Sequence, residues 1–327
     1  MDKVIRNKKI LVTGGAGFIG SNLVESLLAA GNSVICLDNF ITGRRQNILS
    51  LSNNPEFRLI EGDIRDYATC RKAAEGVDIV YHQAALGSVP RSVSDPVSSV
   101  DINIGGFVKM LFAAKEAGIK RFVYASSSSV YGDNQRMPKI EEETGRQLSP
   151  YAITKYANEL FAENFSSVYG IEVIGLRYFN VFGRRQDPDG PYAAVIPKFI
   201  KQLKNHERPV INGDGTFSRD FTYIDNVIQA NHLAGITNRR EALNKVYNVA
   251  FGERTSLLRL FELIRLYAGQ FDSSLLRIEP VLGAERAGDI PHSQASVEKA
   301  RKLLGYSPTH SVEQGLEEAV GWFWKNL

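Results

Sequence analysis

Cysteine is scarce in this sequence, and so is net charge. The 327 residues include two cysteines, Cys36 and Cys70, which are too few for a disulfide framework or a cysteine-ligated zinc site. Lysine and arginine (39) exceed aspartate and glutamate (36) by only three, which is too few to attract a nucleic-acid backbone. The five histidines show no paired spacing with Cys, Asp or Glu. We therefore expect no metal site, no nucleic-acid partner and a reducing, cytoplasmic location.

Long hydrophobic runs and internal repeats are also absent. Residues 1–9 are mostly polar and too short for the hydrophobic region of a signal peptide. No stretch approaches the run of about 20 apolar residues that crosses a bilayer, so we expect no membrane association. With 43% hydrophobic residues and no low-complexity tract, the composition predicts a globular protein of one large or two modest domains.

Short apolar runs alternate with longer helical patterns through the first half of the chain. The predicted strands are 10–12, 34–37, 57–60, 79–81, 122–125 and 173–176. The predicted helices are 18–29, 103–117 and 152–168. This alternation predicts a parallel sheet with right-handed crossovers, which is the doubly wound α/β (Rossmann) fold.

Loops rich in Gly, Pro, Asp and Arg begin after residue 178. We therefore predict a Rossmann domain over 1–178 and a smaller α/β substrate-binding domain over 179–327, from which some segments return to the first domain. Two helices are predicted in the second domain, at 257–268 and 312–324. The cleft at the carboxyl edge of the sheet is the expected ligand site.

A glycine motif directly follows the first predicted strand. Gly14 permits a tight turn, Gly17 lets the backbone approach a pyrophosphate, and Gly20 allows close packing of helix on strand. A plain glycine turn is the alternative, but Asp38 ends the next strand about 20 residues further on. The two features together predict a dinucleotide site.

The carboxylate of Asp38 indicates which dinucleotide binds. It accepts hydrogen bonds from an adenosine ribose and repels a 2′-phosphate, so NAD is favoured over NADP. Arg44 and Arg45 are the counter-argument, because either could hold that phosphate or lie on a solvated loop.

Two further segments follow predicted strands where cofactor contacts collect. Asp63 and Ile64 follow the third strand, and Ala84 and Ala85 follow the fourth. The small alanine side chains admit a close ligand, but they fit a tight core position equally well.

A Ser, Tyr and Lys set indicates proton transfer. Ser127 belongs to a serine run after the fifth strand, and Tyr151 and Lys155 are four residues apart on one helix face. A nearby ammonium stabilises a phenolate, so we expect Lys155 to lower the pKa of Tyr151 from about 10 toward neutrality. Tyr151 would then remove a proton from a hydroxyl group. A serine run or a Tyr and Lys four residues apart is common by itself, but the two in this order after a dinucleotide motif are rare.

With these motifs the sequence resembles the extended short-chain dehydrogenase/reductase superfamily over nearly its whole length. The segments 177–183 and 219–225 resemble the UDP-sugar 4-epimerases within it. The resemblance places Tyr178 near the nicotinamide and Asn180 and Arg219 at the diphosphate, although Arg219 could instead pair with Asp220. The implied cofactor residues are Gly14, Gly17, Phe18, Ile19, Gly20, Asp38, Asn39, Phe40, Thr42, Gly43, Asp63, Ile64, Gln83, Ala84, Ala85, Asn103, Tyr151, Lys155 and Tyr178.

Departures from neighbouring branches indicate the reaction. Sugar-nucleotide 4,6-dehydratases carry an Asp-Glu pair where this chain has Ser128 and Ser129, and decarboxylating relatives place a Glu in this segment. The chemistry left is hydride transfer to NAD and its return to the opposite face of a 4-keto sugar, which is 4-epimerisation. Ser127 or Ser128 would contact the reacting hydroxyl. A net reductase or dehydrogenase, and a catalytically silent NAD-binding regulator, are the alternatives.

Segments 84–92 and 190–197 resemble the branch that prefers N-acetylated sugars. By the same resemblance Ser293 takes a gate position that a tyrosine fills in glucose-restricted relatives, so we expect UDP-GlcNAc and UDP-GalNAc to interconvert. UDP-glucose and UDP-glucuronate or its N-acetylated analogue stay open, since Arg91 and Arg185 could meet a carboxylate. The implied substrate residues are Ser88, Arg91, Ser128, Asn180, Gln186, Ala194, Val195, Asn212, Arg219, Arg286, Asp289 and Ser293.

The resemblance also implies a homodimer. The helices at 103–117 and 152–168 would form a four-helix interface between two copies. The sequence by itself leaves open whether these helices only cover the sheet.

Overall fold

The computed structural model describes residues 4–189, 193–285 and 290–327. Its strands are β1 Lys9–Thr13, β2 Ser33–Asp38, β3 Phe57–Glu61, β4 Ile79–His82, β5 Arg121–Ser127, β6 Glu172–Tyr178, β7 Val181–Phe182, β8 Val210–Asn212, β9 Ser218–Arg219, β10 Thr222–Tyr223, β11 Lys245–Val249, β12 Thr255–Ser256 and β13 Val281–Gly283. Its α-helices are α1 Phe18–Ala29, α2 Tyr67–Ala74, α3 Val89–Ser94, α4 Pro96–Val100, α5 Phe107–Glu116, α6 Pro150–Tyr169, α7 Val195–Lys204, α8 Ile224–Ile236, α9 Leu257–Ala268, α10 Glu298–Leu304 and α11 Val312–Asn326.

One parallel sheet of seven strands organises the described residues. Its order is β3-β2-β1-β4-β5-β6-β11, and every neighbouring pair runs parallel. Strand order reverses between β1 and β4, so a crevice opens at their carboxyl ends. The predicted doubly wound α/β fold is confirmed.

Alternating side chains of the central strands feed two hydrophobic cores, one on each face of the sheet. Leu11 and Val80 belong to the core that contains residues of α2 and α5. Val12 and Tyr81, the next residues along, belong to the core that contains residues of α1 and α8. Both faces are therefore covered, which is why the strands read as continuous apolar runs.

Helix α6 carries clear signals at both of its ends. The Ser149 hydroxyl accepts a hydrogen bond from the amide of Ala152, and Pro150 occupies the first turn. The helix ends at Gly170, whose φ of 71° is the left-handed conformation that glycine adopts readily. The Ser149 cap fixes the start of the helix next to the carboxyl end of β5, and Gly170 fixes its end.

The helical run from Pro96 to Glu116 is the one helix among the described residues with the length and hydropathy of a membrane span. It consists of α4, a π-helical turn over Asp101–Gly106, and α5. Half of its most apolar window is buried inside the protein, as in the core helix of a globular fold.

The second part of the chain forms a smaller unit around α7, α9 and α11, with short two-stranded pairs beside it. Helix α8 and strand β11 do not stay with this unit. Strand β11 pairs with β6 and completes the large sheet, and α8 packs against β5 and β6. The Rossmann part of the fold therefore includes residues beyond 178.

Candidate active site

A cavity of about 500 Å³ lies at the carboxyl ends of β1, β2, β4 and β5. It is lined by most of the residues that the sequence assigns to the cofactor, namely Gly14, Gly17, Phe18, Ile19, Gly20, Asp38, Asn39, Thr42, Ile64, Gln83, Ala84, Ala85, Tyr151, Lys155 and Tyr178. Ser127, Ser88 and Gln186 line it too. Predicted cofactor, catalytic and sugar residues therefore meet in a single cavity.

The glycine loop between β1 and α1 fits a dinucleotide phosphate. A Cβ on Gly14 would lie 2.7 Å from the backbone of Ala84, and one on Gly20 would lie 2.0 Å from the carbonyl oxygen of Gly14. Gly17 precedes α1 without any side-chain cap. The first amide groups of α1 are thus left to bind an anion at the positive end of the helix.

The carboxylate of Asp38 is held in place by backbone amides. Its two oxygens accept hydrogen bonds from Ala16 (2.9 Å) and Phe40 (2.8 Å). Burial raises the pKa of this carboxyl group above its usual value. The remaining lone pairs of the carboxylate are the acceptors available to a ribose at the end of β2.

Arg44 and Arg45, the arguments for NADP, both have partners in the structure. Arg44 pairs with Asp187 at 2.5 Å, and Arg45 pairs with Glu61 at 2.6 Å. Arg45 also stacks over the ring of Phe40. Neither guanidinium is left for a 2′-phosphate, which agrees with the choice of NAD.

Four residues predicted to bind the cofactor lie outside the cavity lining, and each has another role. Gly43 packs on the Asp38 carboxylate, and Phe40, at a positive φ of 59°, supports the same turn. Asp63 accepts hydrogen bonds from Arg65 and Asn39, and the Arg65 bond lowers its pKa to about 2.

Asn103 is the fourth of these residues. Its amide exchanges hydrogen bonds with the backbone of Leu86 and donates another to Thr154. Asn103 therefore holds the loop after β4 against α6, next to the catalytic residues.

Tyr178 and Gln83 form a buried polar group at the cavity wall. The Tyr178 hydroxyl lies 3.2 Å from the Gln83 amide nitrogen and accepts a hydrogen bond of 3.0 Å from Asn231. Burial raises the pKa of Tyr178 to about 12, so its phenol stays protonated at neutral pH. No sequence pattern indicated that Asn231 belongs to the site, because it lies within α8, far along the chain from the motifs.

Tyr151, Ser127 and Lys155 come together where β5 ends and α6 begins. The Tyr151 and Ser127 side chains line the same cavity, and Ser127 lowers the pKa of the Tyr151 phenol. Ser127 already accepts hydrogen bonds from the amide and hydroxyl of Ser129, so its own proton is free to point at Tyr151. Ser128 is not part of the cavity lining, which favours Ser127 as the hydroxyl next to the reacting group.

The expected effect of Lys155 on Tyr151 is not seen. Burial raises the pKa of Tyr151 above its usual value, and Ser127 lowers it in part. The Lys155 ammonium instead donates a hydrogen bond of 2.9 Å to the carbonyl of Ala125. Within the protein alone, desolvation is therefore the largest influence on the pKa of the Tyr151 phenol.

A second cavity of about 300 Å³ adjoins the cavity at the carboxyl ends of the strands and shares Gly87, Ser88 and Gln186 with it. Its wall contains further predicted substrate residues, Arg91 and Ala194, together with Ala193. Arg185 also lies there, but its guanidinium binds Glu25 at 3.0 Å and the carbonyl of Ser21 at 3.2 Å. A sugar substituent has room in this cavity beside small side chains.

The other predicted substrate residues that the structure describes lie outside the linings of these two cavities. Arg219 donates hydrogen bonds to the carbonyls of Ser218 and Pro291, and the amide of Ser293 bonds to the same Ser218 carbonyl. Arg219 and Ser293 are therefore neighbours. Three further positions are Asn180 before β7, Val195 at the start of α7 and Asn212 in β8, whereas Arg286 and Asp289 lie outside the described residues.

Asp220 does not need Arg219 for its hydrogen bonds. It is fully buried and accepts hydrogen bonds from the backbone amides of Phe251, Gly252 and Ala295. Burial raises its pKa to about 7. Asp220 thus ties the turn before β10 to the turn after β11.

Known proteins share this fold. Residues 10–250 match the NAD dependent epimerase/dehydratase family. The chain belongs to this family. A putative UDP-glucose 4-epimerase of Methanocaldococcus jannaschii is 37% identical over 97% of this chain and 99% of its own length.

Two solved structures extend the comparison. The UDP-N-acetylglucosamine 4-epimerase from Methanobrevibacter ruminantium M1, in complex with UDP-N-acetylmuramic acid, is 40% identical with a TM-score of 0.92 and covers 99% of this chain and 100% of its own. The UDP-glucuronic acid 4-epimerase from Bacillus cereus, in complex with UDP-glucuronic acid and NAD, is 33% identical with a TM-score of 0.87 and covers 98% and 100%. The expected resemblance to UDP-sugar 4-epimerases is confirmed, as is NAD as the cofactor.

Among the described residues of this family member, one cluster has the composition of a metal site. Asp225, His310 and Glu318 bring their ligand atoms within 4.8 Å of one another. Arg184 already binds Asp225 at 2.8 Å, and Tyr223 donates a hydrogen bond to Glu318. We read the cluster as a polar link between α8 and α11.

Proposed function

We propose that this epimerase interconverts UDP-GlcNAc and UDP-GalNAc through a 4-keto intermediate, with NAD retained between turnovers. The observation that carries the proposal is the Tyr151, Ser127 and Lys155 set inside the cavity that the glycine loop also lines. The set offers one proton-transfer group and no carboxylate pair for elimination. Its chemistry is therefore oxidation and re-reduction at one carbon.

In this mechanism Tyr151 removes the proton of the sugar 4-hydroxyl and later returns it. Ser127 lowers the pKa of the phenol and so favours the phenolate, and the Lys155 ammonium lies 5.9 Å from the centre of the Tyr151 ring. When bound, NAD in its oxidised form supplies a hydride acceptor and a positive charge that also favours the phenolate. Tyr178 stays protonated and shapes the wall rather than taking the proton.

Two separate arguments support an N-acetylated sugar: the resemblance at Ser293, and the room beside small side chains in the second cavity. Ser293 is about a phenol ring smaller than the tyrosine that the resemblance expects in glucose-restricted relatives. A neighbour at 40% identity is named a UDP-N-acetylglucosamine 4-epimerase, whereas a relative at 37% is named for UDP-glucose. UDP-glucose is accordingly a plausible second substrate, since a small gate admits both sugars.

A uronic sugar is the second candidate. A neighbour at 33% identity is named a UDP-glucuronic acid 4-epimerase, and Arg91 lines the second cavity. Arg185, the other arginine considered for a carboxylate, is bound to Glu25 with its side chain 13% exposed. We therefore rank the neutral N-acetylated sugar first.

The first experiment is NMR of the purified protein with UDP-GlcNAc, UDP-glucose or UDP-glucuronate, without added cofactor. Formation of UDP-GalNAc supports the proposal, and the three rates rank the sugars. No conversion, even after addition of NAD, would reject it. A net change in NADH absorbance during turnover would instead indicate a reductase or dehydrogenase, and NAD binding without reaction a silent regulator.

Replacing Ser293 by tyrosine tests the gate. We expect kcat/KM for UDP-GlcNAc to fall at least about tenfold, because the ring fills the space for the acetamido group, while UDP-glucose loses much less. Ser274→Tyr is the control, because it introduces the same ring at an exposed position elsewhere in the sequence. Equal losses for both sugars would show that Ser293 does not select the substituent.

We also propose a homodimer built on the predicted helices at 103–117 and 152–168, which correspond to the helical run Pro96–Glu116 and to α6. Both helices expose large apolar side chains on the surface of the monomer, namely Val97, Val100, Ile153, Leu160, Phe161 and Val168. A row of apolar residues this extensive is typical of an interface between subunits. Leu160→Glu should convert the dimer to a monomer in light scattering, whereas Leu266→Glu, on the exposed face of α9, should not. A monomeric wild-type protein would contradict the proposal.

We place the protein in the cytoplasm. Both cysteines are free and buried, as expected in a reducing compartment, and the proposed substrate is a nucleotide sugar. Fractionation of cells that express the tagged protein tests this location.

A further inference from the structure

Three consecutive residues of β5 interact with three successive turns of α6. Ala125 accepts a hydrogen bond from Lys155, and Ser126 donates one of 2.5 Å to Glu159. Ser127 lines the same cavity as Tyr151 and lowers the pKa of its phenol. The proposed function uses the first and last of these links. The middle link, between Ser126 and Glu159, has no role in it so far.

Glu159 is a buried anion with a fixed orientation. Its carboxylate accepts two hydrogen bonds from Arg177, at 2.9 and 2.7 Å. The two side chains are 7% and 3% exposed. Arg177 is itself anchored by the carbonyl of Glu141 and by the ring of Tyr131. Three neighbouring elements, β5, β6 and α6, therefore converge on one carboxylate.

Glu159 lies one helical turn after Lys155 and on the same face of α6. Burial of the ammonium lowers the pKa of Lys155 to about 8, and the charge of Glu159 opposes this fall. A lysine with such a pKa is poised to lose its proton close to neutral pH. The anion on the next turn thus bears directly on the charge that Lys155 carries.

The other titratable groups around Lys155 do not supply a negative charge near neutrality. His82 on β4 stays neutral, because burial lowers its pKa to about 3. On α6 and β6, burial raises the pKa of the phenols of Tyr151 and Tyr178. Burial likewise raises the pKa of the Tyr124 phenol on β5 well above its usual value. Arg177 on β6 is cationic and lies on the far side of Glu159.

We propose that Glu159 is a positioning residue for catalysis, whose buried carboxylate keeps Lys155 protonated and seated on the Ala125 carbonyl beside Tyr151. This inference rests on the proposed function only in that Lys155 must carry a positive charge for turnover. Arg177 and Ser126 fix the carboxylate at the required place. The ion pair is thus part of the machinery that tunes the site as well as part of the core.

The test is Glu159→Gln, a change that keeps the shape and removes the charge. We expect the pKa of Lys155 to fall by about one unit or more, measured by NMR titration of lysine Cε in ¹³C-labelled protein with the signal assigned in Lys155→Met. The alkaline limb of the kcat profile should move to lower pH by the same amount, a loss of about tenfold on that side. An unchanged Lys155 pKa would overturn the proposal.

A double variant separates charge from structure. Arg177→Met in the Glu159→Gln background removes the cation left unpaired and guards against loss of folding. Its Lys155 pKa should lie above that of Glu159→Gln and below that of the wild type. If instead Glu159→Gln and the double variant both titrate like the wild type, the carboxylate charge has no effect on Lys155 and the proposal fails.

Glu172→Gln provides a matched control. Glu172, at the start of β6, pairs at 2.7 Å with the buried Arg121 at the start of β5, whereas Arg177 lies near the other end of β6. We expect this change to affect stability and to leave both the Lys155 titration and the pH profile in place. The NMR titration needs no turnover, so the inference can fail while the proposed function stands, or stand while the substrate proves different.

Discussion

Replacing Tyr151 by phenylalanine should lower kcat by about 10³-fold while NAD stays bound. The change removes the only atom that takes and returns the proton in the proposed mechanism. It leaves the ring, and with it the shape of the cavity wall. Lys155 keeps its bond to the Ala125 carbonyl, so the start of α6 should not move.

The measurement is conversion of UDP-GlcNAc followed by NMR, with the NAD content of the purified variant determined after denaturation. Tyr156→Phe, on the same helix and partly buried, is the matched control and should keep near-normal kcat. Turnover of Tyr151→Phe within tenfold of the wild type would contradict the assignment of Tyr151 as the acid and base. Loss of NAD together with activity would show that the variant had lost its site instead.

Replacing Gly20 by alanine should destabilise the protein by about 3 kcal/mol and abolish NAD retention. The added Cβ would lie 2.0 Å from the Gly14 carbonyl oxygen and 2.9 Å from the Cα of Gly15. These are backbone atoms, so no side chain can rotate away to relieve the overlap. Helix α1 or the turn before it must shift, and either shift spoils the phosphate-binding amides.

Gly321→Ala is the opposite case and serves as the control. Gly321 also lies in a helix, α11, but its added Cβ would meet only the Phe271 ring at 4.0 Å. Alanine is the better helix former, so we expect a gain of about 0.5 to 1 kcal/mol. Thermal unfolding of the two variants beside the wild type measures the expected loss of stability in Gly20→Ala and the expected gain in Gly321→Ala. A Gly20→Ala protein that unfolds like the wild type and keeps its NAD would contradict the close-packing argument.

Local sequence patterns were enough for the fold and for the centre of the site. The apolar runs at 34–37 and 173–176 lie in β2 and β6, because a strand buried on both faces must be apolar at every position. The glycines at 14, 17 and 20 predict close backbone approaches, and Tyr151 and Lys155 predict a shared helix face. Each inference needs only neighbours along the chain.

Contacts between distant parts of the chain decided the rest. Asn231 reaches Tyr178 and Arg177 reaches Glu159 only after the sheet has formed, and neither pair has a spacing that a pattern could detect. Strand β11 joins the sheet from within the predicted second domain because β6 offers an open edge there. The pKa of Tyr151 likewise depends on burial, which a four-residue spacing does not report.

The sequence by itself thus determined the chemistry that is present, since a glycine, a phenol or an ammonium has its properties wherever it lies. Tertiary structure decided the strength and direction of that chemistry. It placed Lys155 on a backbone carbonyl, set a buried carboxylate on the next turn, and turned Arg44 and Arg45 toward acidic partners. Desolvation and long-range pairing act through space, and only the folded chain brings those groups within reach of one another.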